Sequence, residues 1–311
     1  MSLKKKKIFL TGAHGMLGKN ITQHPYAVNA DFITPSSQQL NLKNYQDTLS
    51  FINYHEPDAI IHAAGLIGGI TAKLENPVRF LVDNIDIGMN VIGIAHKLGI
   101  KELINVSSYV VYPYNHPESL SEGLLLTGAL DYANEGYAIA KAVALKYCEY
   151  IMREDASYQY KTLIPCNLYG KYDKFDSKSS HFIPSIINKI HNAKESNHPT
   201  VEIWGDGTSR RELFYAEDLA DIILDAAFNI SKMPNFINIG AGLDYCMTDI
   251  YQIIANIIGY TGKFVNNVSF PTDTSRRVLD IKLQSSLGWH QKTNLIAGIK
   301  KTYEYYLEEL A

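Results

Sequence analysis

The sequence predicts an α/β protein, a doubly wound parallel sheet followed by a smaller C-terminal α/β lobe. Three observations predict it. Strand-length apolar runs alternate with helix-length segments through the first half, a glycine-spaced run follows the first strand directly, and the pattern changes past about residue 170. The 311 residues are 46% hydrophobic, enough for a sheet buried on both faces with a second lobe beside it.

Residues 8–11 form the first expected strand, 32–34 a short second, 59–63 (AIIHA) a third, 103–106 a fourth and 162–164 a fifth. Segments 15–22, 45–55, 78–98 and 137–153 are expected helices between them. Strands separated by helices imply right-handed crossovers and parallel pairing. Beyond residue 170 loops lengthen, and residues 235–240 (NFINIG) are expected to return to the sheet as a strand. Residues 264–270 and a last helix at 296–310 belong to the smaller lobe. With no repeat, low-complexity tract or clear linker, the lobe is expected to interleave with the main domain.

The formal net charge of -3 gives no general reason to expect nucleic acid or an anionic membrane as partner. Cys148, Cys166 and Cys246 are an odd number and form no CxxC pair, which suits free thiols in a reducing compartment and no metal site. The basic start is followed by only Ile8, Phe9 and Leu10 before Thr11 and Gly12, too short for a signal peptide. No apolar run is long enough to span a membrane, so a cytoplasmic location is expected.

Gly12-Ala13-His14-Gly15-Met16-Leu17-Gly18 is GxxGxxG between a strand and a helix. Gly12 permits the tight turn, Gly15 lets backbone approach a pyrophosphate, and Gly18 lets the helix pack on the sheet. The helix N-terminus supplies free N–H groups and partial positive charge. A carboxylate at the end of the second strand would pair the ribose hydroxyls of NAD. Thr34-Pro35-Ser36-Ser37 stands there instead, which permits NADPH without compelling it. Ser36 and Ser37 carry hydroxyls for a 2′-phosphate, and NADH stays open.

Tyr137 and Lys141 form YxxxK, one face of a helix. An ammonium beside a phenol is expected to lower its pKa, and Tyr137 then exchanges a proton with a carbonyl or hydroxyl oxygen as hydride moves. Ser107 and Ser108 follow the fourth strand about thirty residues upstream, where a serine can bond the reacting oxygen. Ala63-Ala64-Gly65 after the third strand lets backbone pass close to a cofactor.

These motifs resemble those of the GDP-L-fucose synthase family, extended short-chain dehydrogenases with a Rossmann domain, and the likeness runs over nearly the whole chain. Leu40-Asn41-Leu42, Gly68-Gly69-Ile70, Asn134-Glu135-Gly136-Tyr137, Asn167-Leu168-Tyr169-Gly170, Ser180-His181-Phe182-Ile183-Pro184, Trp204-Gly205-Asp206-Gly207-Thr208, Arg211-Glu212 and Leu287-Gly288-Trp289 carry it beyond the generic set. The resemblance implies a GDP-4-keto-6-deoxy sugar, epimerised at C3 and C5 and then reduced at C4 by NADPH. It makes Tyr137 the proton donor to O4, Asn41, Leu42, Ala64 and Gly65 cofactor contacts, and Asn167 and Leu168 the lining of the nicotinamide end. His181 matches the acid of epimerisation and a cofactor contact. Lys189, Trp204, Arg211 and Arg277 fall where the family grips GDP, with Asp273 a further ribose or guanine contact. The family has arginine at Lys189 and lysine at Arg277, which keeps charge but alters bidentate phosphate geometry. Independently of the family, Arg210 with Arg211, and Arg276 with Arg277, supply cations for a diphosphate.

After the fourth strand the family signature Ser-Ser-Cys-Ile-Tyr-Pro becomes Ser107-Ser108-Tyr109-Val110-Val111-Tyr112-Pro113, with an extra residue and no cysteine. Counted from the strand, Ser107 is the reacting serine and Tyr109 replaces the cysteine. Counted back from Tyr112-Pro113, which fits the wider superfamily, Ser108 is the serine and Val110 replaces it. Cys166 lies at a different motif position. Proton abstraction beside a ketone needs a positioned base, so the expected activity is C4 reduction of a GDP-4-keto hexose or heptose with little or no 3,5-epimerisation. His14 and Ser37 replace arginines of the family's cofactor site. The rivals are a full bifunctional synthase and a non-catalytic nucleotide-binding protein on the same fold. Residues 1–170, with a segment near 210–240, are expected to form the dinucleotide domain, and 171–311 mainly the nucleotide-sugar lobe. By analogy with the superfamily, helices 78–98 and 137–153 are expected to pair in a homodimer.

Overall fold

The computed structural model describes residues 5–175, 181–269 and 276–310. The first half runs β1 (Lys6–Thr11), α1 (Met16–Gln23), β2 (Ala30–Ile33), α2 (Tyr45–His55), β3 (Ala59–His62), α3 (Ile70–Glu75), α4 (Pro77–Lys97), β4 (Glu102–Val106), α5 (Glu135–Glu154) and β5 (Gln159–Pro165). It continues through β6 (Asn167–Tyr169), α6 (Phe182–Glu195), β7 (Thr200–Trp204), β8 (Arg210–Arg211), β9 (Leu213–Tyr215), α7 (Ala216–Phe228) and β10 (Phe236–Ile239). The last elements are β11 (Tyr245–Cys246), α8 (Met247–Ile258), β12 (Lys263–Asn267), α9 (Lys282–Ser286) and α10 (Leu295–Leu310).

Six strands form one sheet in the order β10-β5-β4-β3-β1-β2, every neighbouring pair parallel. The strands are mainly apolar where both faces are covered, with Asn105, Thr162 and Asn238 as buried polar exceptions. Ile8, Leu10, Ile61 and Ile104 enter a cluster with Ile21 of α1 and Leu219 and Ile223 of α7. Phe9, Ile60, Leu103 and Tyr160 enter the opposite cluster with Ile52 of α2, Val91 and Ile94 of α4, and Ala144 and Cys148 of α5. Alternate residues of each strand thus feed opposite layers. The sheet therefore has the doubly wound architecture expected. After β2 the chain crosses back over β1 to begin β3, so the order reverses between β1 and β3, where open α/β sheets bind ligands.

The strands that the periodicity marks are present with ends shifted by one to three residues. α3 was not expected, being short and hemmed by Gly69 and the Asn76-Pro77 step. A further core gathers Ile186, Ile187 and Ile190 of α6, Ile250 and Ile254 of α8, Val201 and Ile203 of β7, and Ile299 of α10. Around it β12 pairs parallel with β7, β6 parallel with β9, and β11 antiparallel with β8.

Two buried polar side chains tie later segments to the sheet. Asn238 of β10 donates from Nδ2 to the Leu120 and Asp280 carbonyls at 2.8 and 3.1 Å and accepts from the Tyr112 hydroxyl at 2.7 Å. Glu212 accepts backbone N–H groups of Ala241, Gly242 and Leu279 at 2.7, 2.8 and 2.8 Å. Burial nevertheless pushes its carboxyl up from 4.5 to about 7 against those three bonds.

A carboxyl raised in the folded state stabilises fully below its unfolded pKa, and that contribution is lost as pH rises through the folded one. The stability advantage of the wild type over Glu212→Gln, read by urea unfolding, should shrink as pH climbs from 4.5 past about 7. The change is on the order of 3 kcal/mol. A gap that widens over that range contradicts the assignment. Glu212→Ala strands three buried donors at roughly 1–3 kcal/mol each, and should lower Tm by several degrees or more.

Candidate functional site

The loop after β1 and the loop after β3 touch at the reversal of strand order. Gly12 has φ +72°, and a Cβ there would stand 2.9 Å from the Ala63 carbonyl and the Ala64 nitrogen. A Cβ on Gly18 would stand 2.2 Å from the Gly12 carbonyl oxygen. Both positions admit only glycine. Gly15 donates its N–H to Gly12 O at 3.0 Å and starts α1, whose end no side chain caps. Ala13 is buried and Leu17 packs on the core, while Met16 is half-buried. The turn thus presents the free N–H groups of α1 to an anion.

Thr11, His62 and Ala64 lock the two loops together. Thr11 Oγ1 accepts the Ala64 N–H at 3.1 Å and lies 2.8 Å from His62 Nδ1. The hydroxyl proton is therefore free for Nδ1, which puts the imidazole proton on Nε2. Burial, with Lys141 nearby, pulls His62 down to about 3 and keeps it neutral. Asn84 of α4 brackets the β3 loop, accepting from Leu66 N–H at 2.8 Å and donating to Leu66 O at 3.1 Å, with Gly65 beside it.

Past β2, His14 Nε2 lies 3.2 Å from the Thr34 carbonyl, to which it donates. Ser36 and Gln39 bond reciprocally, Ser36 N–H to Oε1 at 2.8 Å and Gln39 N–H to Ser36 Oγ at 3.3 Å, and Ser37 is exposed. Asn41 Oδ1 accepts the Lys43 N–H at 3.2 Å, and Leu42 packs on the core with its carbonyl bonded to Asn90. Asn41 and Leu42 shape the loop, and Ser36 and Ser37 stand at its open side.

The YxxxK pair and the serines meet at the C-terminal end of β4. Lys141 Nζ donates to the Val106 carbonyl at 2.9 Å, and burial lowers its ammonium to about 8. Tyr137 is buried in a small cluster with Phe80, Val110 and Ala138. Contrary to the expectation that Lys141 lowers its pKa, burial pushes the phenol up, because desolvation outweighs an ammonium 5.9 Å from the ring centre. The phenol is held protonated, the form an acid requires. Ser107 continues the ladder by donating N–H to Leu163 O at 2.8 Å, and its hydroxyl is buried without a partner. Ser108 is extended, half-buried, and opens a short turn over Tyr109–Val111 without using its hydroxyl.

Neither replacement for the family cysteine takes a proton at neutral pH. Val110 is buried and apolar. The Tyr109 hydroxyl donates to Asn167 Oδ1 at 3.1 Å, and burial pushes it up against the pull of Arg211 and Arg277. Cys166 is buried and its thiol lies well above the ordinary value for the same reason. Asn167 is further fixed by Nδ2 donating to Glu212 O at 3.0 Å, and Leu168 packs against the main core. His181, at the start of α6, has Nδ1 2.8 Å from the buried Asp173 Oδ1. Asp173 was not anticipated; its position just beyond Tyr169-Gly170 was the available signal.

Lys189 Nζ donates to the Glu202 carbonyl and stands 5.7 Å from the ring of Trp204, which is 61% exposed and offers a flat face. Arg211 donates to the Arg210 carbonyl at 2.7 Å. The expectation of two arginine pairs is corrected in part. Arg210 and Arg276 both bond Asp244, at 2.7 and 2.9 Å, so the buried carboxylate takes one member of each pair. Arg277 is half-buried, stands over the Tyr114 ring and ion-pairs Asp131 at 3.2 Å. Asp273 lies outside the described residues. Lys73 was also missed. It donates to Asn134 Oδ1 at 2.8 Å, and Asn134 donates to Asp131 at 2.6 Å, which joins the Tyr137 neighbourhood to Arg277.

Residues 8–240 match the NAD dependent epimerase/dehydratase family. The GDP-L-colitose synthase of Yersinia pseudotuberculosis is 50% identical over 97% of this chain and 98% of its own length. A GDP-L-fucose synthase of Azorhizobium caulinodans is 40% identical over 98% of this chain and 97% of its own. Among solved structures, a GDP-mannoheptose C4 reductase from Campylobacter jejuni with NADP bound superimposes with a TM-score of 0.88 at 28% identity, covering 99% of this chain and 100% of that one.

A carboxylate on Nδ1 holds the His181 proton there and turns Nε2 outward as the free nitrogen. In Asp173→Ala, nitrogen-15 NMR of labelled histidine should show His181 shifting toward the Nε2–H tautomer. An unchanged spectrum would mean that Asp173 does not set the ring.

Proposed function

Because the chain belongs to the NAD dependent epimerase/dehydratase family, in its GDP-L-fucose synthase group, we propose that it reduces C4 of a GDP-4-keto sugar, a 6-deoxyhexose or a heptose, with NADPH, and that it epimerises C3 and C5 little or not at all. The observation that carries this reading is the β4 end, where Tyr137 is held protonated while Val110, Tyr109 and Cys166 offer no base. The reductase with NADP bound supports the cofactor.

The glycine turn, closed to any side chain at Gly12 and Gly18, suits a pyrophosphate, with Ala13, His14, Gly15, Met16 and Leu17 around it. NADPH, when bound, supplies the hydride to C4. Tyr137 gives its proton to O4, Ser108 orients that oxygen, and Lys141 holds the ribose side of the site from Val106. Asn167, Leu168, Ala64 and Gly65 border the reacting end, and His181 is a substrate or cofactor contact. Lys189, Arg211 and Arg277 serve the diphosphate and Trp204 the base, and Asp273 is a further ribose or guanine contact. The nucleotide-sugar lobe comprises mainly residues 171–311, and the dinucleotide domain residues 1–170 with a segment near 210–240, whose β10 pairs with β5.

A homodimer through α4 and α5 accounts for Val78, Val82 and Met89 exposed along α4 and Ile139 and Tyr150 exposed on α5. Three free thiols suit a cytoplasmic enzyme. The retained Asp173–His181 pair and the fucose synthase relative favour a bifunctional synthase as the second reading.

Turnover of GDP-4-keto-6-deoxymannose and NADPH in deuterated water separates the two. The expected product carries no deuterium at C3 or C5, and deuterium at both carbons with fucose stereochemistry restores the synthase. Ser108→Ala is expected to lower kcat roughly 100-fold or more, and Ser107→Ala to leave it close to wild type. The reverse ranking would reassign the serine.

A further inference from the structure

Lys73 occupies an unusual place. It lies on α3, between Gly69 and the Asn76-Pro77 step, and its ammonium stands 4.7 Å from the centre of the Tyr137 ring. Lys141, the lysine of the YxxxK motif, is farther at 5.9 Å and bonded to the Val106 carbonyl. Lys73 is aimed by a relay. Asn134 Oδ1 accepts from it at 2.8 Å, Asp131 accepts from Asn134 at 2.6 Å, and Arg277 ion-pairs the same carboxylate at 3.2 Å. A lysine needed only for solubility extends into water. This one is drawn inward, and burial lowers its ammonium to about 8 against the pull of Asp131.

The face of a neutral phenol attracts a cation modestly. The face of a phenolate, which carries a full negative charge, attracts it more. A cation fixed over that face therefore favours the state that Tyr137 reaches once its proton has left.

We propose that Lys73 is a positioning residue for the proton donor, a second cation that stabilises the Tyr137 phenolate formed during C4 reduction. This rests on the reading that Tyr137 is the donor. Hydride adds to C4 from the reduced nicotinamide, the phenolic proton passes to O4, and the electron pair of the broken O–H bond remains on Tyr137. Water returns a proton before the next turnover, and Lys73 keeps its own throughout. Tyr137 is faced by Lys141 on its own helix and by Lys73 on α3. Lys73 is faced by Asn134 and Asp131, and the neutral His62 stands by Lys141.

The test compares Lys73→Met, Lys73→Arg, Tyr137→Phe and the double variant Lys73→Met/Tyr137→Phe, with GDP-4-keto-6-deoxymannose and NADPH as probes. Lys73→Met should lower kcat roughly 2- to 30-fold and move the alkaline limb of the kcat profile upward. Lys73→Arg should restore both, while Tm and the Kd for NADPH, read by fluorescence, stay at wild-type values. Acting through Tyr137, Lys73 should contribute nothing once the phenol is gone, so the double variant should match Tyr137→Phe. A further loss in the double variant, or a wild-type rate and profile in Lys73→Met, overturns the proposal. So does deuterium uptake beside the ketone that vanishes in Lys73→Met, which would place Lys73 on the substrate as a base. Wild-type turnover by Tyr137→Phe defeats the donor reading itself, an outcome distinct from the others. If Lys73→Met melts early, Lys73→Gln, which retains a donor for Asn134, carries the same comparisons.

Discussion

A steric constraint organises this molecule: the turn after β1 and the loop after β3 press together so closely that side chains are barred from Gly12 and Gly18. The contact exists because β1 and β3 are neighbours while the chain between them detours through β2 at the sheet edge. Two loops that leave adjacent strands in opposite directions open a crevice at their shared end. Thr11 and His62 fasten its floor, and Asn84 fastens one wall. The serines that follow β4, and Lys141 bonded to the Val106 carbonyl, stand next along the same end of the sheet.

Within that crevice burial prevails over charge. It raises the Tyr137 and Tyr109 phenols and the Cys166 thiol and lowers the ammonium groups of Lys141 and Lys73. Two ammonium groups lowered to about 8 thus stand beside a phenol that burial holds protonated. Of the two residues that can stand for the family cysteine, Val110 is buried and apolar, and the Tyr109 phenol is raised by burial.

How far the sequence discloses this depends on the range of the interaction. The sheet was legible because its periodicity and its glycine turn are local, and residues 45–55 coincide with α2. Phe236–Ile239 was legible as a returning strand for the same reason. The pairing of β12 with β7 was not, because nothing in residues 263–267 names a partner some sixty positions earlier. Charges were the least legible. The sequence does not show that Asp244 takes Arg210 and Arg276, or that Asp131 takes Arg277. Lys73 sits on a six-residue helix too short to declare a face. The direction of the Tyr137 shift was missed because spacing reveals a neighbouring lysine but not the depth of burial.

The three thiols are unequal chemically. Cys148 is sealed between α5 and the sheet with its thiol raised to about 12, and Cys166 is buried beneath the β10 end with its thiol raised well above the usual range. Cys246 alone is partly exposed, on β11 opposite Arg210. A maleimide fluorophore added to the unmodified chain would therefore settle on one thiol, opposite Arg210. The protein carries its own attachment point for a probe, with no cysteine to remove first.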